Sequence, residues 1–480
     1  MITFILLASA IIQLTGSFWI GYISDDYDLL IQAQSTHILK PLEGHHFSPV
    51  VIGLFKLAGN YSLSPILWHC LALCMHAVNT VLVFSLVRTS CLLHKWPALT
   101  VTTLFALSAA GYEALAWVCS IGYVLVLPCI LVALLVALTA PAKRAPFVGI
   151  LLVFLQICAF AIWDWGILML PLVVVSLGFR LRQKEIRFFH AFLMLWPSVA
   201  VWCMFMVLRT VLNVKSGYHG GLDGLTLGAK IIAAAPLTNL LPNTTTTLLK
   251  STWGILGMVI IWAVLCWSAM KDRVVALAVA LYIVCVIPIM LFGSLQSRYA
   301  YIATPFLGLA LVQATTRLKR THLSLILGII FVVGHTVFAI QRSQLWASAY
   351  CAAKGLRTTI DSIHISPKND LVVVNLPDSF GPPNMIWRPF LWRNGITSFL
   401  KNFKRVNTPG CPFVWYGAQI PVVAQDQVAS LHPNSEIYVV TSQHPEDWHQ
   451  FLVKPLESDN TDNSDEQPAA QVLSKGVPSD

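Results

Sequence analysis

Long apolar runs separated by short polar loops dominate this chain of 480 residues. A helix needs roughly 20 apolar residues to cross a bilayer. The runs at 2–20, 66–87, 97–111, 121–141, 146–163, 166–180, 190–212, 252–269, 274–292, 299–316 and 322–341 therefore predict eleven transmembrane helices. Met1 to Ile20 could be a signal peptide, and Ala8-Ser9-Ala10 resembles a cleavage site. No basic segment precedes it and the apolar run continues past that point, so an uncleaved first helix is favoured.

The loops alternate in charge. Arg88 with Lys95, Lys143-Arg144, the segment from Arg180 to Arg187, Lys271-Asp272-Arg273 and Arg317-Leu318-Lys319-Arg320 are short and basic. By the positive-inside rule they face the cytoplasm. Residues 21–65, 112–120, the turn at Asp164, 213–251, 293–298 and everything after Gln341 carry fewer bases and face outward. The amino terminus is then inside and the carboxyl terminus outside, which an odd number of spans requires. These calls give a transmembrane domain over 1–345, a small extracytoplasmic α/β domain over 356–455 and a polar, disordered tail over 456–480. Within the α/β part, 370–375 and 436–441 read as strands and 385–403 as containing a helix.

Composition fits this picture. The chain is 56% hydrophobic and 11% charged, with a mean hydropathy of +0.70, whereas soluble domains are about 25% charged. Net charge is +9, but the bases sit in clusters between apolar runs, so topology explains them and nucleic acid is not an expected partner. Nine of the eleven cysteines lie in or beside apolar runs without a paired zinc-type spacing. Cys351 and Cys411, in the polar part, are candidates for a disulfide.

Against this scarcity of charge, Asp25, Asp26 and Asp28 follow directly on the first apolar run. Tyr27 to Leu39 has partly helical spacing and reads as a short interfacial helix, ended by Pro41 and Gly44. Ser24 or Asp25 could cap it, but a cap accounts poorly for an adjacent acidic pair. A carboxylate at this outer surface could serve as a general base. His69, His76 and Asn79 share one face of the second span. Seven residues of helix, roughly 10 Å, keep the two histidines from sharing a metal ion, and interhelical hydrogen bonds are the plainer role. Glu113 is either an interfacial anchor among aromatic residues or a cavity residue, and Asp164 either a solvated hairpin tip or part of the same cavity. Arg298 breaks the charge bias of the outer loops; a guanidinium there can hold phosphate oxygens or snorkel to lipid. The glycine-rich Ser216–Gly224 segment lacks the lysine and spacing of a P-loop.

Together these segments resemble the GT-C superfamily of membrane glycosyltransferases, especially the protein O-mannosyltransferase-like branch that includes the transmembrane and tetratricopeptide-repeat mannosyltransferases. "ISDDYDLL" is similar to the acidic motif after that branch's first helix, and "HHFSPVV", with His46, to the Tyr-Arg-Pro-Leu stretch that follows, with Pro49 kept and Ser48 in place of Arg. His69, His76 and Asn79 match a His-x-x-Asn-x-x-x-His-x-x-Asn helix, with Ala72 for its first Asn. Glu113, Ala114, Ala116 and Trp117 match a Glu-Ala-Val-Ala-Trp segment, while Ser108, Ala109 and Gly111 replace its His, Pro and His. Arg298, Tyr299, Tyr301 and Pro305 fit an Arg-Tyr-Leu-Tyr-Leu-Pro segment, and Asp164 falls near a Lys-Glu pair of relatives.

The resemblance covers about residues 1–350 in order, and no tetratricopeptide repeats follow. It implies a GT-C-like, α-helical polytopic protein that moves a sugar from a polyprenyl-phosphate donor to an acceptor hydroxyl on the outer face, with inversion: a hexosyl- or pentosyltransferase. Asp26 or Asp25 would take the proton, with a lean to Asp26. Arg298, Tyr299, Glu113, Asp164, His46, His69 and His76 would hold substrate. No cofactor or obligatory metal is expected. The implied partners are the lipid-linked donor, membrane lipids and a protein, lipid or glycan acceptor, and a bacterial inner membrane is favoured over endoplasmic reticulum. A multipass transporter or flippase, or an inactive lipid-binding relative, is the alternative.

Overall fold

The computed structural model describes residues 1–23, 25–39, 41, 47–90, 93–212, 222–242, 246–292, 297–316, 321–362, 370–376, 389, 413–417, 435–442, 450–455 and 470–473. Helices occupy all eleven segments that hydropathy singles out. Six helical stretches among the described residues are long and apolar enough to cross a membrane: Pro65–Thr89, Val118–Thr139, Ala142–Ile162, Asp164–Arg182, Phe188–Val211 and Thr252–Lys271. The chain is a multi-pass membrane protein.

The first helix, α1 (Ile2–Leu14), is shorter than its apolar run. Gly16 breaks it, and a 3-10 turn follows at Ser17–Trp19. The break lets the backbone approach a later helix closely: a Cβ on Gly16 would lie 2.7 Å from the Ser343 carbonyl oxygen. Hydropathy cannot register such a contact, so the expected span 2–20 is corrected here. Helix α2 (Asp25–Ser35) takes the place expected for the interfacial helix, starting two residues earlier and ending before Leu39.

Helix α3 (Pro49–Asn60) begins on a proline, whose missing N–H and fixed φ suit a first helical position. So does α4 (Pro65–Ser85), where Ser64 Oγ accepts the Ile66 N–H at 3.3 Å. Helices α5 (Lys95–Ala106), α6 (Tyr112–Ala116), α7 (Ile121–Thr139), α8 (Ala145–Ile162), α9 (Met169–Arg182) and α10 (Phe188–Val211) follow. Beyond them lie α11 (Leu222–Leu240) and α12 (Thr246–Lys250), in a region expected as an outer loop. Pro236 interrupts the apolar pattern of α11 without ending the helix, and Asn239 Nδ2 donates to the Tyr282 hydroxyl at 3.2 Å.

Helix α13 (Thr252–Lys271) is capped by Ser251. Helix α14 (Arg273–Phe292) is capped by Asp272, whose Oδ1 accepts the N–H groups of Val274 at 2.7 Å and Val275 at 3.3 Å. Helix α15 (Ser297–Thr316) is buried along most of its length, and α16 (Thr321–Ser362) runs well past the expected end at 341.

The core lies where α7 and α15 meet α4, α5, α9 and α14. By contrast, α10 and α13 turn large apolar residues outward, among them Phe189, Val207, Trp253 and Val259. Apolar surface on that scale suits lipid rather than water. In the polar C-terminal part the described residues form a mixed sheet of β1 (Asp370–Leu376), β2 (Phe413–Gly417), β3 (Ser435–Ser442), β4 (Gln450–Pro455) and β5 (Ala470–Leu473), in the order β2-β1-β3-β4-β5. The helix expected within 385–403 lies outside the described residues, as does Cys411, the proposed partner of Cys351.

Helices α8 and α10 pack so closely that a Cβ on Gly149 would lie 2.7 Å from the Leu193 carbonyl oxygen. Gly149→Ala is expected to destabilise the protein by about 1–3 kcal/mol. A thermal unfolding midpoint in detergent equal to that of the wild type would contradict this packing.

Candidate active site

The 3-10 turn that follows α1 is tied to two distant segments. Ser17 N–H donates to Ser343 Oγ at 2.9 Å, and the Ser17 hydroxyl shares hydrogen bonds with Tyr112 Oη at 2.6 Å and Gln13 Oε1 at 3.0 Å. These bonds bring α6 and α16 against the segment that leads into the acidic pair.

Asp26 has no exposed surface. Its Oδ2 accepts the Ile23 N–H at 2.9 Å and its Oδ1 the Cys119 N–H at 2.6 Å. The same turn is closed from the other side, where Trp117 Nε1 donates to the Ile23 carbonyl at 3.3 Å. Burial pushes the Asp26 carboxyl well above its ordinary value, and the negative charge of Asp25 adds to the rise; the two backbone donors oppose it only in part. Asp25, one residue earlier, keeps partial exposure. Both Asp26 oxygens are thus engaged by backbone donors, whereas Asp25 beside it is partly exposed.

Glu113, on α6, forms an ion pair with Arg298 at the start of α15. The guanidinium carbon lies 5.0 Å from the Trp117 ring centre and 5.3 Å from that of Tyr299, a contact that favours a cation. Tyr299 in turn stacks on Trp165 with ring centres 5.1 Å apart. Asp25, Asp26, Glu113 and Arg298 all lie within electrostatic reach of Cys119. Three segments far apart in the chain thus converge on one turn, at residues 118–120.

The remaining expected residues occupy other places. Asp164 is a buried member of a 3-10 turn, not a solvated tip. Its Oδ2 pairs with Arg209 at 2.8 Å, and its Oδ1 accepts the Phe47 N–H at 3.3 Å. His69 Nε2 lies 3.2 Å from the Ile20 carbonyl. His76 is engaged at both nitrogens, by Tyr301 Oη at 2.8 Å and the Ala106 carbonyl at 3.1 Å, and Asn79 Nδ2 donates to the same tyrosine oxygen at 3.1 Å. These are hydrogen bonds between helices of the bundle. His46 lies outside the described residues. Among the described residues, no three His, Cys, Asp or Glu converge as metal ligands would.

Sequence reasoning missed Arg209, Arg342 and Cys119. Arg209 is the sole Lys or Arg of α10, and that isolation near a helix end was a usable signal. Arg342, buried, bonds the Pro242 carbonyl and lies within electrostatic reach of Glu113; it follows directly on an apolar run and looked like the run's terminus.

Neither a family model nor a curated protein matches the sequence. Among solved structures, the chain is similar to archaeal oligosaccharyltransferase AglB from Archaeoglobus fulgidus in complex with an inhibitory peptide and a dolichol-phosphate. The TM-score is 0.41 and the identity 13%, over 92% of this chain and 69% of that one. A likeness of that extent carries no argument about chemistry.

Because the folded protein holds the Asp26 proton more tightly than the unfolded chain, this group's contribution to stability is fully present below 3.8 and is lost as pH rises through its folded value. The thermal stability of the wild type is thus expected to fall with rising pH above that point, and that of Asp26→Asn to show a shallower dependence. Parallel curves for the two proteins would remove Asp26 as the cause.

Proposed function

We propose that this protein is a GT-C-type glycosyltransferase that moves a sugar from a polyprenyl-phosphate donor to an acceptor hydroxyl on the extracytoplasmic face. The observation that carries the reading is the convergence of Asp25, Asp26, Glu113 and Arg298 around Cys119 from three separate segments. The motif order in the sequence supports it independently. In this reading the eleven apolar segments all span, the amino terminus is cytoplasmic, and the strands after α16 belong to a small extracytoplasmic α/β domain. A bacterial inner membrane is the favoured setting.

The chemistry then divides by position. Asp25 accepts the proton of the acceptor hydroxyl, and the resulting oxygen attacks the anomeric carbon. The bond from that carbon to the phosphate oxygen breaks, releasing the polyprenyl phosphate, and attack opposite the leaving group inverts the centre. Negative charge grows on the departing phosphate, and Arg298 answers it. Glu113 and the rings of Trp117 and Tyr299 hold that guanidinium in place before substrate arrives. Asp26 is a positioning residue that keeps the turn from Ile23 into α2 against Cys119. Asp164 with Arg209 ties the segment at Phe47 to α10 and so shapes the acceptor side. One carboxylate and one guanidinium meet both charge demands, and the reading calls for no obligatory metal.

The test compares cell-envelope glycans and glycoproteins by mass spectrometry in cells carrying the wild type, Asp25→Asn or Asp26→Asn, together with release of polyprenyl phosphate from a lipid-linked sugar by the purified proteins. Asp25→Asn is expected to slow transfer by roughly 10²–10⁴-fold, the usual worth of a general base. Full transfer by Asp25→Asn would sink the assignment of the base.

A further inference from the structure

At the opposite end of the bundle lies an open cavity of about 730 Å³, lined from α5, α7, α9, α13, α14 and α15. Gln313, which lines it, sits fifteen residues beyond Arg298 on α15, roughly 22 Å along the helix. The cavity is therefore separate from the cluster around Cys119.

Its lining combines three cations, Arg180, Lys271 and Arg273, with two carboxylates, Glu185 and Asp272, over apolar residues that include Leu138 and Phe179. Both carboxylates are committed. Glu185 accepts Arg180 Nε at 3.2 Å, and Arg180 Nη1 donates to the Ala137 carbonyl at 3.0 Å, which fixes that side chain in the wall. Asp272 caps α14 and accepts Gln313 Nε2 at 2.9 Å. Lys271 and Arg273, on either side of Asp272, are both exposed at the rim.

The rim meets the lipid-facing surface. Lys271 Nζ lies 3.8 Å from the ring centre of Trp267, and Trp267 belongs to the outward apolar face of α13 along with Val264 and Met270. Tryptophan collects at the level of lipid headgroups, so Lys271 stands where lipid phosphates lie. A cavity with exposed cations at its mouth, a wall of mixed polar and apolar residues and a lipid-facing helix beside it suits a charged headgroup carried on an apolar chain, and basic pockets between transmembrane helices bind anionic headgroups.

We propose that this cavity binds the phosphate headgroup of an anionic phospholipid, with Lys271 and Arg273 on the phosphate and the acyl chains running along the apolar face of α13. A soluble phosphate compound shares the charge chemistry, but it has no use for the neighbouring lipid-facing helix. The site does not depend on the transferase reading, because none of its residues belongs to the cluster around Asp25.

Native mass spectrometry of the purified full chain, titrated separately with phosphatidylglycerol, phosphatidylcholine and inorganic phosphate, tests the proposal. Phosphatidylglycerol is expected to bind preferentially. The double variant Lys271→Gln, Arg273→Gln is expected to weaken it by roughly tenfold or more, given the usual worth of each cation near an anionic lipid. The charge-conserving pair Lys271→Arg, Arg273→Lys is expected to keep the preference. Equal binding of phosphatidylcholine, or an unchanged affinity in the Gln variant, would overturn the site. Inorganic phosphate that binds as tightly as the lipid and displaces it would overturn the lipid assignment.

Discussion

A carboxylate without exposed surface, Asp26, joins the first outer segment to the turn that starts α7. Burying such a group is costly unless its oxygens are met by donors, and here the N–H groups of Ile23 and Cys119 meet them. The bond geometry leaves the loop little choice of position. It sets where α2 begins, which residue of the acidic pair faces outward, and how near Asp25 comes to the Glu113 and Arg298 pair. Asp26 thus fixes the backbone on both sides of it, at Ile23 and at Cys119.

The same economy governs the other buried charges. Glu113 pairs with Arg298 and Asp164 with Arg209, each linking helices distant in sequence. Breaking such a pair from one side strands a buried charge and is far more costly than never having built it. Ion pairs at these places therefore act as registry devices. The Glu113 and Arg298 pair sets α6 against the start of α15, and the Asp164 and Arg209 pair sets the turn after α8 against the end of α10. Trp117 and Tyr299 lie against the Arg298 guanidinium, and Trp165 stacks on Tyr299.

Much of the helical framework was legible, because hydropathy over a window of bilayer length is a strong signal and charge is scarce here. Its failures have physical causes. The span at 2–20 was overestimated because Gly16 permits a close approach to Ser343, a tertiary contact without a local signature. Helix α11 was missed because Pro236 and polar neighbours mask a face that packs against α13 and α14. The acidic pair, Glu113 and Arg298 were legible as isolated charges at helix ends. The different settings of the two acids were not, since Asp26 is held by two backbone N–H groups, one of them 93 residues away. Arg342 hid at the edge of an apolar run because sequence shows where a cation sits and not what it bonds.

Two groups of charged residues stand at different ends of α15, and they differ in kind. Near Asp25, Asp26 and Glu113 are buried, Glu113 pairs with Arg298 across distant segments, and aromatic rings lie against the guanidinium. At the Lys271 end the carboxylates are spent on a helix cap and an arginine, and two cations stay at the rim beside a lipid-facing helix. Helix α15 spans both, carrying Arg298 at one end and Gln313, bonded to Asp272, near the other. Because α15 is packed on nearly all sides, a shift along its axis would disturb the Glu113 pair and the Asp272 cap together. Its burial keeps the two ends at a constant separation, so the cluster around Cys119 inherits its geometry from contacts made along the whole of α15.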